Sequence, residues 1–359
     1  MFMITKMKYF NIFLISVIIF FWLSLILFVK FDRYKNFLLT LDIALYSNML
    51  WNTDFQNKIL YSDQLFYSRG IDSGLSEHFF PTILLLVPIY HFFPYPVWLL
   101  FLQGVAVAFS AILLYFFSVY LLNDKRISIL LTLAYLFHPA VIGATLDASH
   151  GFHHDSLIPL FLFLSALFFV KRRFLYFLMS LILLLGLKES LPFLGLLFGV
   201  GLLFRKDEYK KYGLITIFIS IFFIFFGLYL FPMLSNSKPV HAVGFLNIIS
   251  NSGNYLNFLL NNTNLKYWAV MLSFFPSVFS PLIVLALVDM GIYILGYASP
   301  FDQHSFASSA ILSIASVGGL YKLYNNDIIY FIYKRYNTKH IVLIIKFIFA
   351  ISILIGVLF

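Results

Sequence analysis

PVWLLFLQGVAVAFSAILLYFFSVYLL, residues Pro96–Leu122, contains no charged side chain and a single amide, Gln103. A helix needs about 20 apolar residues to cross the roughly 30 Å of bilayer hydrocarbon, so this run reads as a membrane span. It ends at Asn123-Asp124-Lys125-Arg126, a tight charged turn. Tyr9–Val29 has the same character and follows Lys6 and Lys8. Its apolar stretch is too long for a signal peptide and no small-residue cleavage site follows, so it reads as a retained signal anchor with the N-terminus inside. Composition agrees along the whole chain: of 359 residues 62% are hydrophobic and 11% charged, with a mean hydropathy of +0.93. A soluble domain is roughly 45–50% apolar and about 25% charged. A soluble enzyme, a coiled coil, a disordered tail and a nucleic-acid-binding domain are thereby excluded. The runs are also continuous, unlike the alternating segments of about ten residues in a membrane β-barrel.

Working outward, the expected fold is an all-α polytopic transmembrane bundle, one integral-membrane domain over residues 1–359, with about eleven spans. A long first loop, residues 30–96, holds Phe37–Trp51, whose apolar residues recur at helical spacing and suggest a helix on the membrane surface. The same loop holds His78–Tyr95, short and broken by Pro81, Pro88 and Pro94, hence a re-entrant or interfacial hairpin rather than a crossing. The remaining expected spans are Ile127–Thr145, Leu157–Val170, Phe174–Leu187, Leu191–Phe204, Gly213–Leu234, Tyr267–Phe279, Leu282–Ala298, Phe306–Leu320 and Ile341–Phe359. A second polar loop, residues 235–266, is rich in Asn and Ser. Gly195 and Gly199 form a GxxxG, a pattern of close helix packing, and Asn261-Asn262-Thr263 is a glycosylation sequon by pattern only.

The net charge of +9 carries topology, because Lys and Arg concentrate on the cytoplasmic side of membrane proteins. With a non-crossing hairpin, one face collects Lys6, Lys8, Lys125, Arg126, Lys171–Arg173, Arg205, Lys206, Lys210, Lys211, Lys322, Lys334, Arg335 and Lys339. That is 15 of the 24 basic residues, against 8 on the other face. A crossing hairpin would scatter these turns over both sides. The expected orientation therefore puts the N-terminus in the cytoplasm and the long loops outside the cell membrane. No cysteine is present, so neither a disulfide nor a thiolate ligand is available.

The outer face then receives most of the acids and histidines. Asp42 stands between Leu41 and Ile43 in an apolar stretch, where the wet face of a surface helix also explains it. Glu77-His78 precedes the broken hairpin and could cap it, since acids favour helix starts. His138, before Pro139 in mid-helix, reads as a packing residue. Asp147, His150, His153, His154 and Asp155 fall within nine residues and are suitable ligands for a divalent cation or a phosphate, although their spacing matches no closed zinc motif. Lys188-Glu189 stands between two apolar helices, where unpaired charge is costly. Asp302 and His304 lie in a later turn.

These residues carry a resemblance. Leu41-Asp42-Ile43 followed by Leu50-Trp51, Ser76-Glu77-His78-Phe79-Phe80-Pro81, Val87-Pro88-Ile89-Tyr90, Gln103, Leu146-Asp147 with His150 and His153, Leu187-Lys188-Glu189 and Gln303-His304 occur in this order. The chain resembles, over residues 10–320, a family of predicted membrane proteins catalogued as a domain of unknown function, and through it the GT-C class of integral-membrane glycosyltransferases. Two departures stand out: Asp147 is followed by Ala148-Ser149-His150 where the family has Asp-Phe-His, and Ser190 follows Lys188-Glu189 where the family has an acid. The resemblance implies inverting transfer of a sugar from a polyprenyl-phosphate-linked donor to a lipid, glycan or protein acceptor, at the outer face of a prokaryotic inner membrane. It implies Asp42 as general base and Asp147 as auxiliary acid. Glu77, His78, His150, His153, Lys188, Glu189 and His304 would surround substrate and lipid phosphate, and Asp147, His153, His154 and Asp155 are candidate ligands of a divalent metal ion. Expected partners are the lipid-linked donor, the acceptor and membrane lipids, with no nucleic acid. Two other classes stay open: a transporter or flippase using the His/Asp cluster as a relay, for which only Asp289, His138 and Lys346 lie deep in spans, and a non-catalytic envelope protein.

Overall fold

The computed structural model describes residues 2–39, 41–54, 58–147, 150–235, 274–295 and 301–325. Among them every regular element is helical. The first helix, α1, runs Phe2–Lys35, longer at both ends than the apolar run alone suggests. Ile15, Ile19, Trp22 and Ile26 recur at spacings of three and four and are buried, while Phe13, Phe20, Phe21 and Phe28 on the other face are exposed. A helix with apolar residues inside and larger apolar residues outside has no water-facing side, as a lipid-facing span requires.

The buried stripe of α1 packs against α6, Pro96–Leu122. Val107, Ala111 and Leu114 of α6 are fully buried. The helix starts on a proline, which costs nothing at a first turn, and ends on Asn123 with φ of 51°. Asp124 then caps the next helix, α7 (Lys125–Leu136), accepting from the N–H groups of Arg126 and Ile127.

One expected helix is two. Ile127–Thr145 breaks at His138-Pro139 into α7 and α8 (Pro139–Leu146), bent by 45°. The residue before a proline is pushed out of the helical region, and His138 has ψ of 131°. Its Nδ1 accepts from the Ala140 N–H at 3.2 Å and its ring stacks on Phe274 at 4.1 Å, so His138 is a cap and packing residue. The carbonyl of Leu136 just before the break is used by Trp22 Nε1 at 3.1 Å.

The last described helix, which follows Asp302-Gln303-His304, is Ser305–Tyr324. It is buried nearly all round, with Ser305, Ser308, Ser309, Ser313 and Ser316 among its inward residues. Small side chains let neighbouring backbones approach, and the hydroxyls return to backbone carbonyls except at Ser308, which donates to Asp289. Gly199 does the same in α11 (Leu191–Leu203): a side-chain carbon there would lie 2.8 Å from Ile217 Cγ1 and 3.0 Å from the Gly213 carbonyl, both on Asp207–Phe225. The GxxxG is thus a packing device.

The span count differs from expectation. Four described helices are long and apolar enough to cross a membrane: Ile12–Lys35, Pro96–Leu122, Asp207–Met233 and Ser305–Tyr324; the bent Lys125–Leu136 plus Pro139–Leu146 pair would make a fifth. The expected eleven included Leu157–Val170, Phe174–Leu187 and Leu191–Phe204, which fold as the helices Ile158–Val170, Phe174–Leu185 and Leu191–Leu203, each shorter than the about 20 residues a crossing needs. Of the expected Leu282–Ala298, the described part is helical over Ile283–Leu295. Pro81–Leu85 and Leu86–Phe92 form a 3₁₀ turn and a two-turn helix, too short to cross. Ile341–Phe359, most of Tyr267–Phe279, the loop 236–266 with its sequon, and Lys346 lie outside the described residues.

Overpacking at a tight helix contact costs about 1–3 kcal/mol. Gly199→Val should therefore lower the thermal unfolding midpoint in detergent clearly below that of Gly201→Val, since Gly201, on the same helix, has open space around it. Equal midpoints would show that the Gly199 contact does not hold the pair together.

Candidate functional site

The expected outer-loop residues converge at one end of the bundle. A short helix after α1, Leu41–Trp51 (α2), docks through Ile43, Tyr46, Met49 and Leu50, all buried, and this leaves Asp42 and Tyr46, one turn apart, beside the cluster. After α8 the chain turns at Gly151, whose φ of +70° is the left-handed region that glycine adopts without strain. Its N–H reaches the Asp147 carbonyl at 3.0 Å. His153 then caps the short turn His154–Leu157 that opens α9 (Ile158–Val170). Thr82 ties the Pro-broken segment to the end of Phe174–Leu185, its N–H and hydroxyl donating to the Gly186 and Leu183 carbonyls. That contact sets His78 against the Leu187–Ser190 turn.

A closed ring of polar side chains results. Asp42 Oδ2 is 3.8 Å from His150 Nε2, and His150 Nδ1 donates to Asp147 Oδ2 at 2.6 Å. The Gln303 amide lies 3.1 Å from His150 Nε2 and 3.4 Å from His304 Nε2. A ring nitrogen bearing hydrogen meets the amide oxygen there, and a bare one meets the amide nitrogen. His304 Nδ1 is 3.0 Å from the Lys188 ammonium, which pairs with Asp155 Oδ2. Asp155 Oδ1 is 3.2 Å from His154 Nε2 and 3.5 Å from His153 Nδ1, and His154 Nδ1 bonds the Tyr46 hydroxyl at 2.5 Å, returning to α2. His78 and Glu189 pair at 3.0 Å beside it, the His78 ring 5.8 Å from that of His154.

Burial sorts these groups. The side chains of Asp42, His150 and His304 are 28%, 30% and 27% exposed and form the opening, whereas those of Asp155 and Lys188 are 1% and 4% exposed and form the floor. Burial raises the Asp42 carboxyl above the usual carboxylate range, partly offset by His150. Burial alone would lower His150, but its hydrogen bond and attraction to Asp147, then Asp42, raise it. The same contest raises His78 through Glu189, and Glu189 drops to about 2 because His78 and then Lys188 overcome its desolvation. His153 is driven by burial to about 4 despite Asp155.

His153, His154 and Asp155 also offer ligand atoms within 4.8 Å of one another, a grouping suited to one metal ion. His154 Nε2 and Asp155 Oδ1 have no hydrogen-bond partner, so the donor set fits, with the Lys188 ammonium competing for the same carboxylate. Asp147 stands outside that group, bonded to His150. Glu77 does not cap the hairpin with His78: Ser73 caps the turn Gly74–Glu77, His78 ends it, and Glu77 pairs with Arg69. Asp289, in Ile283–Leu295, is fully buried and accepts from Ser308 at 2.5 Å.

Three participants were not legible as such. Tyr46 and Gln303 are the neutral links of the ring. Lys30 stands in the sequence as the first loop residue, yet it is 1% exposed and bonded to Gln103 Oε1 and to the Thr145 and Gly151 carbonyls. The signal was present, since 15, 19, 22, 26 and 30 continue one helical stripe.

Fold and site together define a multi-helix membrane protein with a partly open polar centre at one end. The chain belongs to the family described as "Predicted membrane protein (DUF2079)", which it matches over residues 33–359. Neither the curated proteins nor the solved structures include a match to it.

The His78–Glu189 pair has a signed pH dependence. A carboxyl depressed to about 2 contributes stability above its unfolded pKa and loses it as pH falls through its folded value. A raised histidine contributes below its unfolded pKa and loses that contribution as pH rises through its folded value. The midpoint gap between wild type and Glu189→Gln should be widest from about pH 4.5 to 6.5 and narrow on both sides. A gap constant from pH 3 to 8 would refute the pairing.

Proposed function

We propose that this centre is the active site of a GT-C-like glycosyltransferase that moves a sugar from a polyprenyl-phosphate-linked donor to an acceptor hydroxyl at the outer face of a prokaryotic cell membrane, with the N-terminus in the cytoplasm. The observation that carries the reading is the opening itself. A carboxylate with a raised pKa, Asp42, and an imidazole backed by a buried ammonium, His304 on Lys188, are both partly exposed at the opening of one polar ring. Inverting transfer needs a base on the attacking hydroxyl and a donor to the departing phosphate.

In this reading the acceptor oxygen attacks the anomeric carbon as the carbon–oxygen bond to the lipid phosphate breaks. Asp42 takes the hydroxyl proton, and a pKa above the ordinary carboxylate range brings it closer to neutral pH, where a base is most effective. His150, held by Asp147, lies beside Asp42 to stabilise its charge. Lys188 donates to His304 Nδ1, which leaves the imidazole proton on Nε2, toward Gln303 and the opening. The Lys188 charge therefore reaches the phosphate through His304. A metal ion held by His153, His154 and Asp155 would add Lewis-acid charge at the floor.

An apolar cavity of about 230 Å³ supports a lipid donor. It is lined by Ile158, Leu162 and Phe169 along α9, with Leu185, Leu191 and Ile311 from the neighbouring helices. Its near end, Ile158, is three residues from Asp155, so a prenyl chain lying along α9 would put its phosphate at the ring.

Asp42→Asn keeps the shape and removes the base, and general-base loss costs about 10²–10⁴-fold. Sugar transfer from a lipid-linked donor by the purified variant in nanodiscs should fall by that order, with an unchanged unfolding midpoint. Full activity in Asp42→Asn would overturn the assignment. A wild-type protein that transfers no sugar from a range of lipid-linked donors would overturn the class.

A further inference from the structure

We infer that Lys30, assisted by Arg33, is a positioning residue that holds the turn bearing Asp147 and His150 in register with Asp42. Lys30 Nζ lies 2.7 Å from the Thr145 carbonyl, 2.7 Å from the Gly151 carbonyl and 3.2 Å from Gln103 Oε1. Three acceptors need three N–H donors, which an ammonium has and a neutral amine lacks. Thr145 and Gly151 flank the segment that carries Asp147 and His150, so one cation grips it on both sides. Arg33, nearly one turn further along α1, donates to the Leu146 carbonyl, the residue just before Asp147. Gln103 adds a second tether, its amide donating to the Ala144 carbonyl at 3.4 Å.

The grip decides geometry because the end of α8 would otherwise leave its last carbonyls without partners. Gly151 is turned into the left-handed region, and its own N–H closes the turn on Asp147. With both ends fixed, the 2.6 Å Asp147–His150 bond aims His150 Nε2 at Asp42 and Gln303. All three ammonium N–H groups are used by the protein, so Lys30 touches no substrate. Its one nearby anion is Asp147, and it acts through that dyad. First-span residues thus help to build a centre whose reacting groups all lie elsewhere in the chain.

The inference rests on the proposed transferase reading for its kinetic consequence, but the grip itself is measurable without activity. In the full chain in nanodiscs, Lys30→Met should speed amide exchange of residues 150–152 about tenfold or more, while α9 and Phe174–Leu185 keep wild-type protection. In the transfer assay, groups that orient a functional ligand typically govern 10–100-fold. Lys30→Met should lower kcat by about tenfold or more with the KM for the lipid-linked donor within about twofold, and Lys30→Arg should recover part of kcat. Where Lys30→Met does not fold, Lys30→Gln and Arg33→Gln carry the same measurements. Unchanged exchange of 150–152 in these variants overturns the grip, as does a kcat equal to wild type. A wild-type protein with no transferase activity overturns only the proposed reaction, and the exchange result then stands alone on the grip.

Discussion

The ion pair between Lys188 and Asp155 is the constraint on which the site end of the bundle depends. Both side chains are almost completely buried, and a buried charge survives only with a partner and further hydrogen-bonding neighbours. The pair joins the Leu187–Ser190 turn to the start of α9. His304 on Lys188 adds the start of Ser305–Tyr324, and His154 on Asp155 adds α2 through Tyr46. Four chain segments far apart in sequence are thus fixed by one salt bridge and its nearest neighbours. Lipid-facing helices cannot supply such register, because leucine and phenylalanine faces slide over each other at little cost in a medium as apolar as themselves.

The same economy explains the interior. Where the backbone is broken inside the bundle, a specific side chain reclaims the polar group: Trp22 takes the Leu136 carbonyl at the Pro139 break, and His138 takes the Ala140 N–H. Water is absent from hydrocarbon, so an unclaimed group costs several kcal/mol there. The serines of Ser305–Tyr324 are tolerated for the same reason, since each buried hydroxyl returns to a carbonyl or, at Ser308, to Asp289.

Much of this was legible in the sequence, and the part that was not has a common cause. The charge-free run Pro96–Leu122 and the basic turns are local signals, and both reappear as a full-length central helix and short helix ends. Asp42, Asp147, His150, Lys188 and His304 could be singled out because ionisable groups beside apolar helices are rare. What failed was depth. Lys30 reads as the start of the first loop, and although it continues the buried stripe of α1, its partners Thr145 and Gly151 lie in a distant turn that no local pattern names. Gln303 stands out in the sequence only as part of the resemblance and Tyr46 not at all, because a neutral side chain attracts no attention until two charged groups are known to lie on either side of it. Helix lengths were overestimated for the related reason that hydropathy does not register where a turn tightens, as at Leu185–Leu191.

The neutral links have a consequence that the charged residues alone would not. In the ring Asp42–His150–Gln303–His304–Lys188–Asp155–His154–Tyr46, every charged group is separated from the next like charge by an imidazole, an amide or a phenol. A proton arriving at Asp42 can be balanced at His150, which already carries raised affinity from Asp147, without disturbing the buried pair beneath. The floor therefore stays fixed while the opening titrates. Removing one member of the floor strands the other, at a cost of about 3–5 kcal/mol, whereas an exposed member of the opening still has water to replace its partner. A rigid floor and an opening whose groups still meet water both follow from the exposure gradient alone.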